Sequence, residues 1–405
     1  MRSYSLFSIV LLCLVILGID IFAFYWLLSI TRPIESEILK NLIYILFWVF
    51  TIGLITAILL LKIKLDLVAP ERQQLIISKL YGLTVSSFIP KLIFVIVISL
   101  LYFSNFMFSQ EASLIVIPVI GLLSGFLPFF IILYAIFSAV YRFKVHLIRL
   151  KLETLPQQFN GIRIVHISDL HLGSFNYKYH ILERAVKKIN ELNPDLIFFT
   201  GDLVNNFSWE LRGWHTVLKK LKAKYGKFAV LGNHDYGDYS QWATPEEKRR
   251  NFNEIQEFYI KTDFSLLRNE AKLIEKANTS LSIIGVENWG NPEFKKYGDL
   301  QKAMKNVDGA NFNILLSHDP THWSEEVAHH TNITLTLSGH THGMQAGINF
   351  RTKKWSPIKY KYKHWAGLYK ENNQYLYVTR GLGWMGFPGR LGMRPEITLI
   401  ELYKK

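Results

Sequence analysis

Apolar positions are arranged in two ways along this chain. Before about residue 140 they form four unbroken runs, Leu6 to Leu28, Leu42 to Leu61, Leu92 to Phe108 and Leu114 to Val140. As helices such runs are of the length that crosses a hydrocarbon core of ~30 Å, the third being the shortest. The first continues through Phe22, Phe24, Tyr25 and Trp26 with no small-residue cleavage site, so it reads as a retained span and not as a signal peptide. Beyond residue 160 the apolar runs are short and rich in β-branched and aromatic residues. They predict strands at Ile162 to Ser168, Leu196 to Thr200, Phe228 to Leu231, Leu281 to Val286, Asn313 to Ser317, Ile333 to Ser338, Tyr375 to Thr379 and Ile397 to Tyr403. Between the first two, Ile181, Leu182, Ala185, Ile189 and Leu192 recur at helical spacing, which predicts a helix over Ile181 to Leu192 and a βαβ pattern. The expectation is a helical membrane domain over 1–141, an amphipathic basic linker over 142–158 and an α/β domain over 159–405.

Composition and charge sharpen that division. A chain of 405 residues that is 50% hydrophobic, with mean hydropathy +0.15, is too apolar for an ordinary soluble enzyme. Only 11 of its 46 Lys and Arg and 6 of its 32 Asp and Glu fall before residue 151. Orientation follows from the basic residues of the short loops. Lys62, Lys64, Arg72, Lys79 and Lys91 lie between runs two and three, and Arg142, Lys144, Arg149 and Lys151 follow run four, whereas the turn around Ser109 to Ala112 has no Lys or Arg. Both termini and the α/β domain are expected on the cytoplasmic side of a multi-pass inner or plasma membrane protein, although Arg32 and Lys40 in the first outer loop reduce the contrast. With Cys13 as the one cysteine, an intrachain disulfide is excluded. Asp20 falls inside the first span, where a charge is costly; the expectation is a neutral or snorkelled carboxyl, the alternative a polar contact with substrate or a partner helix.

Chemistry-bearing residues follow five of the expected strands. These are Asp169-Leu170-His171, then Gly201-Asp202 with Asn205, then Gly232-Asn233-His234-Asp235, then His318-Asp319, then Gly339-His340-Thr341-His342-Gly343. Ligands of α/β sheets bind beyond the carboxyl ends of strands, so clusters scattered along the chain can converge there. Each tripeptide alone is weak; the ordered set is not structural punctuation.

Over about residues 160 to 403 these motifs resemble the calcineurin-like metallophosphoesterases, within them the membrane-associated YkuE-like and YaeI-like branch. Arg380-Gly381-Leu382-Gly383 followed by Arg394-Pro395-Glu396-Ile397 also looks like that branch, while Met344 stands where it often has a second Gly. The resemblance implies two packed mixed β-sheets flanked by helices, a four-layer αββα sandwich. It further implies two divalent metal ions, with Mn, Fe or Zn suited to carboxylate and imidazole ligands. One ion would take Asp169, His171, Asp202 and His342, the other Asp202, Asn233, His318 and His340, Asp202 bridging. His234 would serve the leaving-group oxygen as acid, with Asp235 expected to fix its tautomer. Asn205 and Gly343 are read as shaping backbone, His166 as a core strand residue.

The stretch from Arg351 to Trp365 interleaves Arg351, Lys353, Lys354, Lys359, Lys361 and Lys363 with Trp355, Tyr360, Tyr362 and Trp365. That mixture suits a lipid headgroup surface, the alternative being a solvated basic face with buried aromatics. Lys353, Lys354, Trp355, Arg380, Arg390 and Arg394 are therefore expected to face substrate or membrane, and Trp384, Met385 and Phe387 to form an inserting apolar patch. A net charge of +14 also suits nucleic acid, but much of the excess flanks the spans and no nucleic-acid-binding module is seen, so none is expected as a partner. A tether favours a lipid-linked phosphodiester or pyrophosphate, because it raises the local concentration of a membrane-bound partner. The resembling branch implies cleavage of the UDP-2,3-diacylglucosamine pyrophosphate or of phospholipid headgroups. An inactive metal-binding scaffold, or an output domain of a membrane sensor or transporter, are the alternatives.

Overall fold

The computed structural model describes residues 5–107, 116–290, 294–305, 307, 312–350 and 353–405. The turn expected around Ser109 to Ala112, Arg351 and the side chain of Lys353 lie outside the described residues. The chain divides into two compact units: residues up to 138 with 386–389, and residues 139–385 with 390–405.

The first unit is built from α1 (Leu6–Thr31), α2 (Glu37–Lys64), α3 (Pro70–Met107) and α4 (Val116–Phe137). Each is long and apolar enough to cross a membrane. Ser5 and Ser36 cap α1 and α2 by accepting from the backbone N–H of Ser8 and Leu39. The main departure from expectation is α3, which begins at Pro70 and not at Leu92, so Arg72, Lys79 and Lys91 are helical and not loop residues. Arg, Lys, Gln and Leu are good helix formers, and Pro90 inside the helix does not end it, as membrane helices tolerate. Lys91 consequently meets Asp20. Its Nζ donates to Asp20 Oδ2 at 2.8 Å, and Thr51 Oγ1 on α2 donates to the same oxygen. The ammonium also lies 4.7 Å from the centre of the Phe47 ring, a cation–π contact. Asp20 is thus a buried polar link among three helices, the alternative of a contact with a partner helix and not the expected neutral or snorkelled carboxyl. Residues 386–389 belong to this unit: Phe387 packs edge-on against Tyr81.

In the second unit, one six-stranded sheet has the order β1-β14-β2-β3-β4-β5, from β1 (Lys144–Leu152), β2 (Ile162–Ile167), β3 (Leu196–Thr200), β4 (Lys227–Val230), β5 (Phe264–Leu266) and β14 (Glu396–Lys404). The other runs β12-β13-β9-β8-β7-β6, from β6 (Glu270–Lys276), β7 (Thr279–Gly285), β8 (Phe312–Leu316), β9 (Leu335–Ser338), β12 (Gly367–Glu371) and β13 (Gln374–Val378). A separate hairpin pairs β10 (Ile348–Phe350) with β11 (Lys353–Trp355). Both large sheets are mixed. Strand side chains alternate between faces, and here both faces are buried. Ile164, Phe198, Val230, Ile314 and Leu337 meet between the sheets. Val165, Ile197 and Phe199 turn the other way, onto α5 (Tyr179–Glu191), α6 (His215–Leu218) and α7 (Pro245–Lys261). Leu315, Leu376 and Val378 point outward from the second sheet onto α8 (Leu300–Ala303) and the turn at Trp323 to Val327. The four-layer αββα arrangement follows, and burial on both faces explains why the central strands read as continuous apolar runs.

The segment expected as a linker over 142–158 instead contains β1, an edge strand parallel to β14 over its whole length, from Lys144 opposite Glu396 to Leu152 opposite Lys404. Its outer positions are exposed, which gives it the polar pattern that resembles a joint.

Replacing Lys91 with Met would leave Asp20 uncompensated inside the helical unit. A loss of about 3 kcal/mol is expected, as for breaking one side of a buried ion pair, read by thermal unfolding of the detergent-solubilised chain. The double variant Asp20→Asn/Lys91→Met should recover most of it; no recovery would count against the pair.

Candidate metal centre

Strands β2, β3 and β4 run parallel in the first sheet, and β8 and β9 run parallel in the second. Their carboxyl ends deliver Asp169 and His171, Asp202, Asn233 and His234, His318, and His340 and His342. The ends are stitched together by main chain: Asp169 N–H donates to Gly201 O at 2.9 Å, His171 N–H to Asp202 O at 3.1 Å and Gly339 N–H to His318 O at 3.0 Å. Asp169, His171, Asp202, His340 and His342 all have positive φ, between 46° and 71°. For residues with a Cβ this left-handed backbone is unfavourable by ~1–2 kcal/mol each, and it persists where surrounding structure over-determines it. Gly232 and Gly339 serve the same crowding, since a Cβ on the first would strike the Asp202 side chain and on the second those of Ser168 and Asp169.

The side chains form two groups of potential metal ligands that share Asp202: Asp169, His171, Asp202 and His342, and Asp202, His318 and His340. Their donor atoms lie within 4.8 Å of one another in each group. His171 Nε2 is 3.1 Å from His342 Nε2, and Asp202 Oδ2 lies 3.6 Å from His171 Nε2 and 3.2 Å from His318 Nε2. Asn233 joins the second group, its Oδ1 being 2.9 Å from His340 Nδ1 and 3.1 Å from His318 Nε2. His318 Nδ1–H donates to Thr200 O at 2.6 Å, tying β8 to β3 and aiming Nε2 inward.

Burial sets the charge of these groups. It pushes His171 down to about 3, His340 down to about 4 and His342 well down, so these imidazoles are neutral and keep a lone pair. Burial also opposes charge on His318, but the Asp202 carboxylate overrides it and raises His318 to about 10. Asp202 is held well below the usual carboxylate range by His318 and His234 in spite of its burial. Asp169 is raised to about 7, by burial first and by Asp202 as well.

His234 is half-buried. Its backbone N–H donates to Asp202 Oδ1 at 2.9 Å, and its Nδ1–H donates to Asn205 O at 2.7 Å, which leaves Nε2 for chemistry. Asn205 therefore fixes the tautomer, and the expected partner Asp235 does something else. The Asp235 carboxylate accepts from the backbone N–H groups of Asp202, Leu203, Val204 and Gly232. Glu210, which has no motif of its own and gives no signal in the sequence, anchors the adjoining loop in the same way. It accepts from the N–H of Gly173, Asn205, Asn206 and Phe207 and from the Asn205 amide. His166 is a core strand residue, as expected, bonded to Thr200 Oγ1.

The residues expected to face substrate or membrane divide. Arg380 and Arg390 do not face solvent: both are buried, Arg380 paired with Glu396 and Arg390 donating to Gly383 O and Met393 O, 3.4 Å from His342 Nδ1. Both satisfy buried acceptors instead. Arg394 Nε donates to Arg142 O. Lys354 Nζ donates to Ala366 O, and Trp355 is exposed. Trp384 is buried against Phe175 and Tyr141, not presented outward with Met385.

An αββα sandwich whose strand ends bring carboxylates and neutral imidazoles into one buried cluster is the frame of a metal-dependent hydrolase. The family described as "Calcineurin-like phosphoesterase" matches residues 162–344, and that described as "Probable Calcineurin-like phosphoesterase, transmembrane domain" matches residues 2–140. The chain is 31% identical to the metallophosphoesterase YkuE of Bacillus subtilis over 62% of its own length and 83% of that protein. It is 30% identical to a metallophosphoesterase of Aquifex aeolicus over 65% of this chain and 94% of that one. To the transmembrane protein with metallophosphoesterase domain of Danio rerio it is 30% identical over 66% of this chain, spanning 59% of the relative. The chain belongs to the calcineurin-like phosphoesterases: it is a membrane-associated, metal-dependent phosphoesterase.

Glu210→Ala would strand at least four backbone N–H groups beneath the loop that orients His234. Destabilisation by ~3 kcal/mol or more is expected, since each buried unsatisfied donor costs about 1–3 kcal/mol, and chemical denaturation should show it. A change under ~1 kcal/mol would mean that water replaces the carboxylate and that the loop does not depend on it.

Proposed function

We propose that this enzyme is a two-metal phosphoesterase acting on a lipid-linked phosphodiester or pyrophosphate, with its α/β unit on the cytoplasmic side. The observation that carries the reading is the pair of donor groups joined at Asp202. Asp169, His171, Asp202 and His342 would hold one ion, and Asp202, Asn233, His318 and His340 the other. The donors fit borderline divalent ions such as Mn, Fe or Zn: carboxylates, imidazoles and an amide oxygen, without thiolate. Bound ions of this kind supply activation of water near neutral pH and charge stabilisation in an in-line displacement.

The chain's own contribution is orientation and proton transfer. His234, held through Nδ1 by Asn205 O, offers Nε2 to the departing oxygen. Asp202 fixes the backbone of the same residue through Oδ1 while its Oδ2 faces His171 and His318, so the acid and the ion-binding carboxylate share one geometry. Asp235 and Glu210 hold the loops on which both depend.

Support for a lipid-linked substrate comes from the rim of the same site. Met344, two residues from His342, is exposed, as are Ile348, Trp355 and Tyr360, with Lys359, Lys361 and Lys363 exposed among them. Ser356 Oγ donates to Gly343 O at 2.9 Å, fastening this stretch to the loop that carries His342. Aromatic, aliphatic and cationic groups in this mixture suit a headgroup layer, and membrane spans in the same chain raise the local concentration of a bilayer-bound substrate. The cytoplasmic side is favoured by Lys62 and Lys64 in the last turn of α2 and by Arg142, Lys144, Arg149 and Lys151 in the segment that follows α4.

His234→Ala should keep near-normal metal content while losing ~10² or more in turnover on esters with poor leaving groups, and much less on activated aryl esters. Steady-state rates over a leaving-group series with metal analysis of the same samples check this, and an equal loss across the series would assign His234 a structural role.

The substrate class is tested with the full chain in nanodiscs. Lys359, Lys361 and Lys363 changed together to Gln should lower turnover of lipid-linked phosphodiesters in anionic discs at low salt by tenfold or more, given about 1 kcal/mol per cation at an anionic surface. The effect should shrink at high salt, and soluble aryl diesters should be unaffected. Unchanged lipid turnover would leave the stretch as a solvated face.

A further inference from the structure

Two tyrosines outside the donor set contact it. Tyr362 lies within the basic and aromatic stretch but is buried, packed with Trp365, Ala366 and Met393. Its Oη is 2.8 Å from His340 Nε2, and its ring meets the imidazole edge to face with centroids 5.4 Å apart. Phe294 covers another side of the same imidazole, centroids 5.1 Å apart. Tyr239 Oη accepts from Asn233 Nδ2 at 2.8 Å, and its ring packs on His234 at 4.6 Å.

These contacts decide which atoms face the cluster. His340 presents Nδ1 inward, toward Asn233 Oδ1 and His318 Nε2. As a neutral ligand it must carry its proton on Nε2, and the tautomer is set by what the outer nitrogen bonds. Tyr362 Oη is there to accept that proton's hydrogen bond. Asn233 can ligate only through Oδ1, and a flip of its amide would turn an NH₂ group inward; Tyr239 Oη, by taking the Nδ2–H bond, opposes the flip. The corresponding outer nitrogen of His318 meets a backbone carbonyl.

We propose that Tyr362 and Tyr239 are positioning residues for the half of the site formed by His318, His340 and Asn233: Tyr362 holds His340 in the Nε2–H tautomer, and Tyr239 holds Asn233 with Oδ1 inward. Together they set the affinity of that half independently of the half formed by Asp169, His171 and His342. The inference rests on the two-metal reading above.

The test is equilibrium titration of the metal-free full chain in detergent with Mn²⁺, on the parent, Tyr362→Phe and Tyr239→Phe. Phe keeps the ring and removes one oxygen. Each variant should fill one equivalent with the parent's affinity and the second ~10- to 100-fold more weakly, the usual effect of removing a group that orients a ligand. Turnover should return to the parent's kcat once Mn²⁺ is raised by the same factor, and thermal unfolding of the metal-free protein should not move. Parent-like affinity for both equivalents overturns the proposal, as does an equal weakening of both with a lowered unfolding temperature, which marks a packing role. A parent that takes up a single equivalent overturns the two-metal reading and the proposal with it, and this is told apart because it is seen before any substitution.

Discussion

Everything in the α/β unit is arranged around the cost of gathering buried carboxylates and imidazoles at Asp202. Two like charges 4 Å apart repel by about 4 kcal/mol at the effective dielectric of a protein, and desolvation adds to this. The cluster meets that cost by dividing protons unequally. Asp202 stays ionised because His318, 3.2 Å away, is a cation beside it. Asp169, farther from such help, is pushed up to about 7. His171, His340 and His342 stay neutral under burial. What results is a set of lone pairs around one firm negative charge, balanced by an imidazolium whose proton a bound cation would replace.

Placing those atoms requires backbone that side chains disfavour. Five donor residues have positive φ, and the same loops approach one another closely enough to exclude a Cβ at Gly232 and Gly339. Asp235 and Glu210 are the counterweights. Each carboxylate gathers at least four N–H groups from loops that otherwise could not sit side by side, and hydrogen bonds to a charged acceptor contribute more than neutral ones. Burial raises the Glu210 carboxyl even so, which shows how deep the anchor lies. The strain at the donors and the anchoring beneath them are one device: neither loop geometry would persist without an acceptor of several amides inside it.

The donor residues were legible because each follows a short apolar strand in a compact motif, and parallel strands carry such motifs to one edge. The seven residues expected as ligands lie together, six of them in the two adjoining groups and Asn233 beside His340 and His318. What the sequence hides is everything that acts across long separations through backbone groups or single hydroxyls. Glu210 bonds main-chain amides and has no spacing signal. Tyr362 is separated from His340 by a hairpin and lies in a stretch whose aromatics are expected at a headgroup surface; the chain alternates there, with Tyr362, His364 and Trp365 inward and Lys361 and Lys363 outward, as in the alternative of a basic face with buried aromatics. Strands β1, β5, β6 and β12 carry little signal because edge strands with exposed faces lose the apolar pattern. The length of α3 is hidden for a related reason: its first half is polar enough to read as loop, although its residues are good helix formers.

The two units answer the same constraint in opposite ways. In the helical unit a carboxylate in apolar surroundings is neutralised by the chain itself, with Lys91 and Thr51 on one oxygen of Asp20 and aromatic faces around the ammonium. Both charges of the pair belong to the chain, and the contact links three helices. In the α/β unit no lysine or arginine pairs with the carboxylates of Asp169 and Asp202 among the described residues: Arg380 is taken by Glu396, and Arg390 is spent on carbonyls behind His342. The fold brings these arginines close enough to shape the loops and withholds them from the carboxylates. Among the described residues Asp202 is offset by the imidazolium of His318 and Asp169 by being pushed up to about 7, and both protons are ones that a bound cation can displace, so the physics that makes Asp20 a structural contact makes this cluster one that can take up cations.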